Sequence, residues 1–198
     1  MEVETAMNIL GMAVIGVMLW SGVLPKEIGA AGRQVEVCMT HTEEIMLLKQ
    51  ARGIASGMLA GAGVKVQWHE PGKCPPEAIF ITLSDAESAR QMPGALAYAL
   101  PFQGTRVVVF YDRVKHRPAP ARSVLAHVIV HEITHILQGV ILHSKSGIMK
   151  ADWNERDYQE MIRGPLQFTE EDIARIQHGV TGWAVRRTRG GGQTRRAR

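Results

Sequence analysis

At 198 residues and 45% apolar content, the chain is long enough for one domain with a substantial core plus terminal extras, and no internal repeat points to a solenoid. The formal net charge of +4 misdescribes that domain, because six arginines from Arg186 to Arg198, with no acidic residue among them, more than account for it. The basic character therefore belongs to a Gly/Arg-rich tail over 184–198, expected to be disordered and solvated, with contact to anionic lipid or nucleic acid as the alternative and no specific nucleic-acid partner expected.

The first segment is an address. Met7 to Leu24 carries no charged residue and is followed by Pro25 and by the small residues Gly29, Ala30 and Ala31. This is the pattern of a signal peptide cut near Ala31, or of an uncleaved membrane anchor. Glu2 and Glu4 precede the run and Lys26 and Arg33 follow it, the reverse of the usual charge order, and initiation at Met7 would remove the two acids. The expectation is export to the periplasm or the extracellular space, or membrane attachment, with residues 1–31 as leader, 32–183 as the domain and 184–198 as the tail. Cys38 and Cys74 follow the leader; one disulfide suits an exported domain, and two free thiols are the alternative. Neither has CxxC spacing, so a cysteine zinc site is not expected.

Within the domain, Gln34 to Met39 reads as a strand. Glu43 to Ala60 reads as a helix, with apolar positions at Ile45, Leu48, Ile54, Met58 and Leu59 and a stop at Gly61 and Gly63. Val64 to Trp68, Ala78 to Leu83 and Arg106 to Tyr111 read as strands. After the Pro118-Ala119-Pro120 loop, Ser123 to Val140 is an apolar run that reads as one buried helix. Asp152 to Ile162 reads as a further helix with Asp152 as N-cap. A last helix opens at Phe168 and runs to about His178, with Thr169 as N-cap and Asp172 in the capping-box position.

The buried helix contains His131-Glu132-Ile133-Thr134-His135, a HExxH motif. Residues four apart share a helical face, so His131 and His135 can offer two imidazole nitrogens to one ion, with Glu132 beside them as general base for an ion-bound water. Two histidines and a glutamate are costly in a core unless paired or metal-bound. Gly139 can end the helix in a left-handed cap, and the chain can then turn back and bring His143 to the ion. Three protein ligands with one open position make a catalytic zinc site. Glu155, twenty residues after His135, competes with His143 for the third position; otherwise it is a solvated helix residue. His127 shares the face of His131 and reads as a core or second-sphere residue outside the ligand set. His41, His69, His116 and His178 read as surface or loop residues.

HExxH, a glycine, a third His followed by Ser, and a short loop to Gly147-Ile148-Met149 together resemble the metzincin metalloproteases. The motif here is HExxHxxxGxxxH, one residue longer on each side of the glycine than the family's. The resemblance covers Ala126 to Met149 in detail. It implies an α/β (α+β) fold with a twisted mixed sheet, a backing helix and an active-site helix. It also implies zinc held by His131, His135 and His143, with Glu132 as the base and Met149 as the Met-turn residue beneath the metal. The activity implied is hydrolysis of peptide bonds; the peptide or protein substrate is expected to lie along a sheet edge near Ala95 to Phe102 by strand addition, and the chain is expected to be a monomer. A zinc hydrolase acting on a small amide or cell-wall substrate, and a non-catalytic metal-binding domain, are the alternatives. Glu132 argues against the last, since a pure binder has no need of a base.

Overall fold

The computed structural model describes residues 34–40, 43–84, 93–101 and 104–190, with side chains described to 182. The leader lies outside the described residues, as does His41.

Among the described residues, four parallel strands and one antiparallel edge strand form a single sheet. The strands are β1 (Gln34–Met39), β2 (Lys65–His69), β3 (Ile79–Ser84), β4 (Ala97–Ala99) and β5 (Arg106–Phe110), in the spatial order β2-β1-β3-β5-β4. β4 pairs antiparallel with β5, with Tyr98 opposite Val108. Alternation decides which face is core. Val35, Val37 and Met39 of β1, Ile79 and Ile81 of β3, and Val107 and Val109 of β5 are buried on one face.

Helix α1 (Ile45–Gly61) buries Leu48, Ala51, Ala55, Met58 and Leu59, a stripe at three- and four-residue spacing. It packs against β2 and against α3 (Ala121–Gln138). Every side chain of α3 from Ser123 to Leu137 is buried. The helix is wrapped by α1, β4, β5 and three further helices, α2 (Tyr111–Lys115), α4 (Glu155–Arg163) and α5 (Glu170–Gly190). A helix apolar on all sides needs such a position. Cys38 of β1 and Cys74 of the β2–β3 loop form a disulfide, with Cα atoms 5.9 Å apart.

Several expectations are corrected. β4 lies within the sheet edge expected near Ala95 to Phe102, although no strand reads there from propensity: Ala97 and Ala99 have little intrinsic strand preference, and pairing with β5 holds them extended. Tyr111 begins α2 rather than ending a strand. Helix α4 starts at Glu155, not Asp152. Its N-cap is Asn154, whose side chain accepts from the Asp157 amide while the Asp157 carboxylate accepts from the Asn154 amide. Helix α5 has the expected Thr169–Asp172 cap but continues to Gly190, into the first residues assigned to the tail. Among the described residues, no helix is long and apolar enough to cross a membrane.

Candidate metal centre and its cleft

Helical spacing puts His131 and His135 one above the other on α3, and two carbonyl groups then orient their rings. The Nδ1–H of His131 donates to the Ile148 carbonyl at 2.9 Å, and that of His135 to the Val140 carbonyl at 3.1 Å. Because a carbonyl can only accept, each Nδ1 carries the proton and each Nε2 is left as a lone pair. The two Nε2 atoms face each other at 3.0 Å. The His143 ring completes the group, stacked on His131 at 5.2 Å and edge-on to His135 at 5.0 Å. One ligand atom from each of the three lies within 4.8 Å of the others. His131 and His135 are buried and His143 is exposed.

This donor set fits a metal ion. Two imidazole lone pairs aimed at each other without a proton repel, and a cation placed among them turns the repulsion into ligation. Three imidazole nitrogen ligands suit zinc. Burial, with the neighbouring imidazole His135 next, drives His131 down to about 3. Burial, followed by His143, drives His135 down to about 4, so both rings are neutral and ready to ligate.

Glu132 lines the same cavity of about 500 Å³ as the three histidines. Burial pushes its carboxyl up to about 8, opposed by a backbone hydrogen bond from Ala99. A cation nearby would favour its ionised form. The cavity runs along β4, with Arg117, Lys150, Trp153 and Tyr158 also lining it.

The longer spacing of the motif is absorbed at the end of α3. Gly139 adopts φ 67° and ψ 20°, and its amide donates to the His135 carbonyl. Val140 then turns back to hold His135, while Ile141 and Leu142 stand exposed and carry the chain to His143. The return loop is pinned further on. Gly147 has φ +74°, and a Cβ there would meet the Gln167 carbonyl oxygen at 2.1 Å, so only glycine fits. That carbonyl accepts the Ile148 amide, and Met149 beside it is fully buried.

Glu155 stands apart. It sits exposed in the first turn of α4, where its carboxylate accepts from Gln159, and it is outside the cluster. His127 is a satisfied core residue: its Nδ1–H donates to the Ser123 carbonyl and its Nε2 accepts the Leu166 amide. The surface reading of His69 is corrected, since this residue belongs to β2 and pairs with Glu36 at 2.5 Å. His116 caps α2 and His178 lies exposed on α5. Sequence reasoning does not reach the orienting carbonyls of Val140 and Ile148, or the hydrogen bond from Ser144 to Asp172 at 2.6 Å. The capping box around Asp172 is readable, but its second partner lies 28 residues away and leaves no local signal.

No family described from sequence matches the chain, and no curated protein sequence does. Among solved structures the chain is similar to archaemetzincin from Methanopyrus kandleri, at 13% identity over 77% of this chain and 98% of that one, with a TM-score of 0.53. Myroilysin is also similar, at 14% identity over 72% of this chain and 65% of that one, with a TM-score of 0.37. The chain thus has the metzincin-like fold of archaemetzincin; in this chain, among the described residues, a buried helix beside a five-stranded mixed sheet presents His131 and His135, and the loop after it brings His143 to them.

Proposed function

We propose that the chain is a zinc-dependent metallopeptidase that hydrolyses peptide bonds, with His131, His135 and His143 holding the metal and Glu132 as general base. The observation that carries this reading is the meeting of three imidazoles and one buried carboxyl in a single cavity beside the sheet edge. A zinc ion held there would lower the pKa of a bound water to about 7 and polarise a carbonyl. Glu132 accepts the proton of the attacking water and delivers it to the leaving amine. Its position one residue after His131 places it against the cavity without making it a member of the ligand cluster.

An extended peptide is the substrate class that the cleft supports. Among the described residues β4 is the last strand of the sheet, and it lines the cavity, so a substrate chain can add to it by main-chain hydrogen bonds near Ala95 to Leu100. Phe102, the far end of the expected segment, lies outside the described residues. The disulfide supports export, since such bonds persist in oxidising compartments. Thiol titration of protein purified from its native compartment tests this, and two free thiols would count against export.

The test of function is hydrolysis of a mixed peptide library by the zinc-loaded chain and by Glu132→Gln. The wild type should cleave, and the variant should keep its zinc and lose about 10²–10⁴-fold in rate. No cleavage by the wild type across metals and pH, or equal cleavage by both, would overturn the proposal.

A further inference from the structure

The three histidines are not held alike. His131 and His135 sit on a buried helix and each donates a ring proton to a carbonyl, whereas among the described residues no hydrogen bond reaches the ring of His143. His143 is also exposed, on a loop outside any helix or strand. Its neighbour Ser144 is what fixes that loop. The Ser144 amide donates to the Met149 carbonyl at 2.7 Å, and Ser144 bridges to Lys150. The Ser144 hydroxyl donates to Asp172 Oδ1 at 2.6 Å.

Asp172 divides its two oxygens between two tasks. Oδ2 accepts the amide and hydroxyl of Thr169 and so caps α5. Oδ1 accepts Ser144 and, at 2.9 Å, Arg175. The residue is 1% exposed. Burial works to raise its pKa, but the hydrogen bonds from Ser144, Thr169 and Arg175 outweigh it and hold the carboxyl below its usual 3.8. An ionised carboxylate only accepts, which fixes the Ser144 hydroxyl as the donor.

We infer that Ser144, anchored on Asp172 of α5, is the positioning residue for His143 and thereby sets how tightly the site holds its metal. This rests on the three-histidine reading of the proposed function. The physical reason is entropic: a ligand on an untethered loop must be ordered by the ion at the expense of affinity, while a tethered one is already in place. Partners that orient metal ligands are typically worth about 10–100-fold in metal affinity.

The division of Asp172 provides the test. Zinc affinity of the full chain is measured by competition with a chromophoric chelator, and the melting temperature is measured separately without metal. Ser144→Ala should weaken zinc binding about 10–100-fold. Ser144→Thr, which keeps the hydroxyl, should restore most of that. Thr169→Ala removes the cap and leaves the Ser144–Asp172 bond; it should lower the metal-free melting temperature while zinc affinity stays within about twofold of wild type. Equal zinc affinity in Ser144→Ala and wild type overturns the inference. So does an equal loss in Thr169→Ala, which would assign the effect to the stability of α5. Failure of the wild type itself to bind zinc would overturn the ligand assignment, and the inference with it.

Discussion

The Nε2 atoms of His131 and His135 stand 3.0 Å apart with no proton between them, because each ring has committed its proton to a carbonyl on the far side. Such a pair is unfavourable by itself and favourable around a cation. Metal binding is therefore expected to stabilise the fold. Zinc at a hundredfold excess over its dissociation constant should add about 2.7 kcal/mol to the unfolding free energy, and a chelator should remove it. His143→Ala should lose most of this gain, and Glu155→Ala should retain it along with full zinc content. Zinc lost from the Glu155 variant alone would refute the assignment of His143.

The part of this site that is legible in the sequence is the part that one helix builds. The spacing of His131 and His135, the buried run around them and the stop at Gly139 all follow from helical periodicity and glycine's tolerance of positive φ. The preference for His143 over Glu155 is legible only in the turn chemistry of the Gly139 to Met149 stretch, not in the contacts that realise it. It depends on a return loop held by Gly147 against Gln167 and by Ser144 against Asp172, contacts made at 20 and 28 residues' separation. His69 escapes for the same reason, since its partner Glu36 lies 33 residues earlier. β4 leaves no mark of its own because Ala97 and Ala99 become a strand only when Val107 and Val109 are there to pair with them.

His127 predicts a specific acid sensitivity. Burial lowers its pKa from 6.5, and its Nε2 is occupied by the Leu166 amide, so the folded state resists a proton that the unfolded state takes up. Its stabilising contribution is complete above pH 6.5 and is lost as pH falls below that value. His127→Gln should be less stable than wild type at pH 8 in the presence of chelator. The gap should narrow below pH 6.5, by up to about 1.4 kcal/mol per pH unit. Urea titrations at half-unit steps from pH 8 to 5 measure it, and a constant gap would show that His127 titrates normally.

Gly179 predicts a reversal of the usual glycine-to-alanine rule. In an open helix interior the substitution stabilises by about 1 kcal/mol, since alanine is the better helix former. Gly57 in α1 is such a place, with nothing within 4 Å of where a Cβ would stand, and Gly57→Ala should raise the denaturation midpoint. At Gly179 in α5 the same Cβ would lie 2.0 Å from the Leu137 carbonyl oxygen and 3.2 Å from the Gln138 Cα. Those are backbone atoms of the last turn of α3, two and three residues beyond His135, so relief requires the two helices to separate. Gly179→Ala should lower stability by about 1–3 kcal/mol, the range for overpacking a core. Because the strain falls on the turn that carries His135, zinc affinity should fall with it. Paired denaturation curves of Gly57→Ala and Gly179→Ala decide the matter, and a stabilising effect at both positions would show that α5 can move away from α3 at little cost.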